Sequence, residues 1–132
     1  MTRAKNDDRR LLLIVDDEPA QISLDRRMLA EENYELLVAE SGQQALDVLE
    51  KHGRYPDLLI TDYMMPGMNG RELAVTLRER HPAMKVLYQT GYSKKLFGQR
   101  ELLEPGAAFI SKPFTSRGLR EAVRLALNDA GS

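Results

Sequence analysis

Residues 11–19 read LLLIVDDEP. Five consecutive apolar side chains end in two aspartates, a glutamate and a proline. A strand with one wet face alternates apolar and polar residues, whereas an unbroken apolar run suits a strand covered on both faces, as in a parallel sheet. Pro19 is suited to the first turn of a following helix, and Asp17 and Glu18 lie where negative charge favours a helix start. Short runs of the same kind recur at Leu58-Leu59-Ile60, Val86-Leu87-Tyr88 and Ala107-Ala108-Phe109-Ile110, with a weaker one at Leu36-Leu37-Val38-Ala39.

Helical patterns fill the intervals. Pro19–Glu32 carries a core stripe read as Leu24–Met28, which leaves Ile22 off that stripe, either an exposed apolar contact for a partner helix or partly buried in its own domain. Ser41–Lys51 opens with Ser41 and Gln44 at capping-box spacing and aligns Ala45, Leu46 and Leu49. Gly70–Arg80 aligns Leu73, Ala74 and Leu77 and stops before His81-Pro82. Ser93–Glu104 is the weakest helix, with Gly98 inside it and Pro105-Gly106 after it, and Ser116–Asn128 aligns Leu119, Ala122, Val123 and Ala126. Strand and helix thus alternate five times, which predicts an α/β fold with a parallel sheet and right-handed crossovers.

The 132 residues fit one domain, expected over residues 11–129, with flexible tails at 1–10 and 130–132. The net charge of -1 argues against direct DNA or other nucleic-acid binding. The absence of cysteine removes disulfides, thiolate metal sites and thiol nucleophiles, and His52 and His81 are too few for a multi-histidine metal site. No apolar run approaches the ~20 residues that span a bilayer, and the N-terminus lacks the pattern of a signal peptide, so a cytoplasmic location is expected.

In an open α/β sheet, ligands bind beyond the carboxyl ends of the strands. Those ends carry Asp16, Asp17 and Glu18 after the first run, Asp62 after the third, Thr90 after the fourth and Lys112 after the fifth. Clustered carboxylates stay ionised only beside a cation, and oxygen ligands without His or Cys suit Mg²⁺. Asp62 stands alone at its strand end and is the candidate nucleophile, forming an aspartyl phosphate, with Asp16 and Asp17 as metal ligands. Lys112 would neutralise a phosphoryl group there and Thr90 would donate a hydrogen bond to it.

Taken together, Asp16-Asp17-Glu18-Pro19, Ser41-Gly42-Gln43-Gln44-Ala45-Leu46, Asp62-Tyr63-Met64-Met65-Pro66-Gly67-Met68-Asn69-Gly70, Thr90-Gly91-Tyr92 and Lys112-Pro113-Phe114 form an ordered set. From Leu11 to Leu127 the chain resembles the receiver domain of two-component response regulators, including receivers of hybrid histidine kinases. The resemblance implies a flavodoxin-like (βα)5 three-layer sandwich with strand order 2-1-3-4-5. It implies a signalling domain and not an enzyme, in which Asp62 accepts a phosphoryl group from a histidine kinase or histidine phosphotransfer protein. Mg²⁺ would be held by Asp17 and Asp62 directly, by Asp16 through water and by the Met64 backbone carbonyl. Lys112 would hold the phosphoryl group beside a cis bond to Pro113, and Thr90 with Phe109 would form the switch.

Further expectations concern partners. Ile22 and the Pro113-Phe114 loop would meet the phosphoryl donor, while Arg117, Arg120 and Arg124 form a basic stripe open to an acidic output partner. The protein is expected as a monomer or weak dimer. The resemblance implies that phosphate lifetime is set two residues after the phosphoacceptor and two after the switch Thr, here Met64 and Tyr92, which would favour exclusion of hydrolytic water. Two other readings share parts of the pattern. A flavodoxin would carry a Ser/Thr/Gly-rich phosphate loop where this chain has Asp16-Asp17-Glu18-Pro19, whose three acids repel phosphate unless a metal intervenes. A haloacid-dehalogenase-type phosphatase would carry Asp-x-Asp-x-Thr where this chain has Asp16-Asp17-Glu18.

Overall fold

The computed structural model describes residues 9–91 and 107–129. The strands are β1 (Arg10–Val15), β2 (Tyr34–Ala39), β3 (Leu58–Asp62), β4 (Lys85–Thr90) and β5 (Ala108–Ser111). The helices among the described residues are α1 (Pro19–Leu29), α2 (Gly42–His52), α3 (Gly70–Arg80) and α4 (Ser116–Asp129). All strand pairs are parallel and the order is β2-β1-β3-β4-β5. This is the flavodoxin-like three-layer arrangement, with helices on both faces of one sheet. The helix expected over Ser93–Glu104 and Tyr92 lie outside the described residues, as do residues 1–8 and 130–132 of the expected tails.

The apolar runs are continuous because each strand serves two cores. Leu13, Val15, Leu59, Val86 and Tyr88 point to one side, where Ala45 and Leu49 of α2 and Leu73, Ala74 and Leu77 of α3 cover them. Leu12, Ile14, Leu58, Ile60 and Leu87 point to the other, against Leu29 of α1 and Leu119, Val123, Ala126 and Leu127 of α4. Leu11, Leu12 and Leu13 are fully buried, each contributing about 1.5–3 kcal/mol relative to exposure. The central strands are therefore rigid, and burial on both faces also holds the residues at their carboxyl ends in place.

Three local expectations need correction. β1 begins at Arg10, and Arg54 donates to the Arg9 carbonyl at 2.8 Å, so residues 9 and 10 belong to the folded body. On α1 the buried stripe is Ile22, Asp25 and Leu29, and Leu24 is an exposed apolar residue. Ile22 is 6% exposed and offers no surface to a partner. The helix is rotated relative to the hydrophobic reading because that stripe includes a carboxylate, which a purely apolar search passes over. Finally, the arginine stripe on α4 is partly neutralised: Arg120 pairs with Glu32 at 3.6 Å and Arg124 with Glu121 at 2.7 Å.

Helix starts agree with the sequence pattern. Ser41 caps α2 by accepting from the Gln44 backbone at 3.0 Å, while the Gln44 side chain accepts from the Glu40 N–H instead of closing the box on Ser41. The full reciprocal box sits at α3, where Asn69 and Glu72 each accept the other's backbone N–H at 2.8 Å. Gly70 opens that helix, and its N–H donates to the Tyr63 carbonyl at 3.0 Å. A Cβ at position 70 would overlap the Asp62 backbone carbonyl, which cannot yield because β3 is paired on both sides. Gly70→Ala should therefore destabilise the fold by about 1–3 kcal/mol, read as a lower urea midpoint, and an unchanged midpoint would contradict this packing.

Candidate functional site

Register brings the chemistry together. Val15 pairs with Thr61, so Asp16 leaves β1 level with Asp62 on β3. Asp62 pairs with Gln89, and Thr90 pairs with Ser111, so Thr90 and Lys112 arrive at the same edge. The Lys112 N–H donates to the Thr90 carbonyl at 2.8 Å, and the Tyr63 N–H donates to the Gln89 carbonyl at 3.1 Å. These bonds carry the sheet ladder one residue past its formal end, and the bond between Lys112 and Pro113 is cis.

Lys112 is the electrostatic centre. Its Nζ donates to Asp16 Oδ2 at 3.1 Å and to Asp62 Oδ2 at 3.3 Å. Asp16 is fully buried and its Oδ1 accepts the Glu18 N–H at 2.9 Å. Asp62 Oδ1 accepts the Met64 N–H at 3.2 Å. Burial opposes the charge on Lys112, but Asp16 and Asp62 outweigh it and raise its pKa above the ordinary lysine value. Burial also raises the Asp62 pKa, with Asp16 adding repulsion, and Lys112 and the Met64 N–H only partly offset this. One lysine thus falls short of satisfying the acids around it.

Asp17 is exposed and does not cap α1, whose N-cap Glu18 makes no side-chain cap bond. Carboxylate oxygens of Asp16, Asp17 and Asp62 lie within 4.8 Å of one another. Hard oxygens at that spacing, with Lys112 the cation paired with them among the described residues, suit a divalent cation of the Mg²⁺ type. Thr90 is buried, and Phe109 is half-buried with its ring 5.4 Å from that of Tyr88, which in turn meets Tyr63 edge-on at 5.3 Å. Pro113 is exposed and Phe114 half-buried beside Lys112, whereas Ile22 is removed from the surface. Met64 is 65% exposed.

Two polar residues below the site escape a motif-based reading. Asp25 and Gln89 are buried and hydrogen-bonded to each other at 2.9 Å. The available signals were a carboxylate on a helix face between Ile22 and Leu29, and an amide inside an apolar strand.

The profile of the response regulator receiver domain matches residues 12–124. The sensor kinase CckA of Brucella abortus (strain 2308) is 32% identical over 113 residues, covering 86% of this chain and 12% of that protein. The polar-differentiation response regulator DivK of Brucella ovis is 30% identical over 125 residues, covering 90% of this chain and 97% of that protein. The chain spans less than half the length of several other relatives, such as the transcriptional regulatory protein CpxR of Escherichia coli (strain K12), of which it covers 48%. The crystal structure of the receiver domain of the hybrid histidine kinase CckA superposes with a TM-score of 0.73 at 33% identity, covering 89% of this chain and 98% of that one. The signal receiver domain of an HD domain-containing protein from Pseudomonas fluorescens Pf-5 gives a TM-score of 0.80 at 26% identity, covering 93% and 98%.

A phosphoacceptor signalling domain is the class that this fold and acidic edge define. The chain belongs to the response regulator receiver domain family. Neither the flavodoxin nor the dehalogenase-type phosphatase reading finds support. No described helix is long and apolar enough to cross a membrane.

The raised Asp62 pKa has a measurable sign. Folded Asp62 keeps its proton to higher pH than the unfolded chain does, so from about pH 4 upward its ionisation lowers stability until the raised value is passed. Asp62→Asn removes this cost. In EDTA the variant should match the wild type in its response near about pH 3 and gain in relative melting temperature toward neutrality; parallel melting curves across that range would contradict the electrostatics.

Proposed function

We propose that Asp62 accepts a phosphoryl group from a phosphohistidine of a kinase or phosphotransfer protein, and that Asp16, Asp17, Asp62 and the Met64 carbonyl hold the Mg²⁺ this requires. The observation that carries the reading is the Lys112 ammonium shared between Asp16 and Asp62, with the Asp17 carboxylate close by. An Asp62 oxygen forms the new P–O bond as the P–N bond to the donor imidazole breaks, and the imidazole leaves with its proton. Bound Mg²⁺ would supply positive charge to the transferring phosphoryl oxygens.

The chain's own residues do the rest. Asp16 is fully buried with one oxygen on the Glu18 N–H and the other on Lys112, whereas Asp62 at the end of β3 is half-buried and the more accessible of the two to a donor phosphorus. Lys112 exchanges its contact with Asp62 for one with the phosphoryl group and keeps Asp16. Thr90 donates its hydroxyl to the new dianion, and the Phe109 ring, packed on Tyr88, repacks as Thr90 moves. Pro113 and Phe114, next to Lys112, provide apolar surface for the donor protein. The receiver unit is taken to run over 11–129 and to work as a monomer or weak dimer in the cytoplasm; the described residues 9–91 and 107–129 supply its sheet and four of its helices.

Two outcomes test this. Acetyl phosphate with Mg²⁺ should label the wild type with acid-labile phosphate and leave Asp62→Asn unlabelled; full labelling of the variant would refute the assignment. Millimolar Mg²⁺ should raise the wild-type melting temperature by about 2–5 °C, and Asp17→Ala should remove most of that rise. An unchanged wild-type melting temperature would contradict the metal site.

The phosphorylated form should also decay slowly without a phosphatase. Met64 brings no polar atom on its side chain to orient a water in line with phosphorus, beyond a weakly accepting thioether. Met64→Asn should shorten the lifetime of the labelled protein, and equal decay of the two proteins would refute the shielding argument.

A further inference from the structure

Beneath the acidic edge lies a polar contact that the transfer chemistry does not use. Asp25 on α1 is fully buried and Gln89 on β4 is 1% exposed. Gln89 Nε2 donates to Asp25 Oδ2 at 2.9 Å, and Gln21 Nε2, one turn earlier on α1, donates to Asp25 Oδ1 at 2.9 Å. Each carboxylate oxygen therefore has one amide donor. A buried carboxylate or amide alone is costly, so the two positions depend on each other. The charges that act on Asp25 from neighbouring elements are Asp16 and Lys112, which oppose one another.

Gln89 is also a junction of the main chain. Its carbonyl holds the N–H of Tyr63, the residue after Asp62. Its neighbour Thr90 holds the N–H of Lys112 through its own carbonyl. The Gln89 side chain points to the α1 face, opposite the face on which Tyr88 packs with Phe109. A tie on one face of β4 thus bears on the loop after Asp62, on Thr90 and on Lys112.

We propose that Asp25 is a positioning residue for phosphoryl transfer at Asp62: by holding Gln89 it fixes the end of β4 that seats Tyr63, Thr90 and Lys112. This rests on Asp62 being the phosphoacceptor. The effect is geometric. A nucleophile and a cation must meet the phosphorus together, and small displacements of either are expensive in rate. The tie also makes α1 and the switch strand move as one unit at this point.

The experiment measures initial rates of acetyl phosphate labelling over Mg²⁺ concentrations up to saturation on the full chain, with urea midpoints recorded for every variant. Asp25→Leu removes the acceptor that holds Gln89, and Gln89→Met keeps the volume but removes the amide. Each should slow labelling on the order of tenfold, while the Mg²⁺ concentration for half-maximal rate stays unchanged. The double variant Asp25→Asn, Gln89→Glu exchanges amide and carboxylate, keeps the net charge and restores the bond in reverse; its rate should return to within about twofold of wild type. Wild-type rates in both single variants, with shifted urea midpoints, would show that the pair serves the fold alone and overturn the proposal. A folded double variant as slow as the single ones would overturn it as well. Wild type that takes no label refutes the phosphoacceptor reading itself, a result separable from the other two.

Discussion

The site depends on one shared cation. Lys112 stands between Asp16 and Asp62, two carboxylates from different strands that would otherwise repel at close range. Side-chain burial makes the arrangement consequential, since charges removed from water interact strongly and unpaired ones are costly. Among the described residues a single ammonium pairs with this group of Asp16, Asp17 and Asp62, and the surplus negative charge there suits a divalent ion. On the proposed reading, the same lysine that quiets the acids at rest becomes available to the phosphoryl group when Asp62 is converted to its acyl phosphate.

That balance requires the strand ends to be held without slack. Parallel pairing fixes Asp16, Asp62, Gln89 and Lys112 in register, and the two cores on either side of the sheet fix the strands themselves. The helices contribute at their starts. Asn69 and Glu72 lock the entry to α3, and Gly70 lets that entry lie directly against the Asp62 carbonyl. Rigid packing below and short loops above give the acids a fixed geometry; on the proposed reading, Thr90 and the packed rings of Tyr63, Tyr88 and Phe109 are what the phosphoryl charge would rearrange.

Much of this is legible in the residues. Unbroken apolar runs such as Leu11–Val15 belong to two-sided strands, and the acids, Thr90 and Lys112 after them mark one sheet edge because parallel strands all end there. The exposed reading of Ile22 fails because apolar residues alone do not orient this helix, and the true stripe runs through Asp25. Its partner Gln89 lies 64 positions along the chain, a separation no local pattern spans. The arginines of α4 look like an open basic stripe in sequence because Glu32, which neutralises Arg120, arrives from another element. Hydrophobic periodicity reports burial against an apolar neighbour; it is silent on polar groups that are buried because they have found each other.

The most direct test of the central claim is to locate the phosphoryl group chemically in the unmodified protein. Borohydride reduces an aspartyl phosphate to homoserine, and peptide mass mapping then identifies the position. After labelling with a phosphohistidine donor or acetyl phosphate in Mg²⁺, homoserine should replace aspartate at position 62, with Asp16, Asp17 and Asp25 unchanged. Homoserine at position 16 or 17, or none anywhere in a protein that has taken up label, would contradict the account.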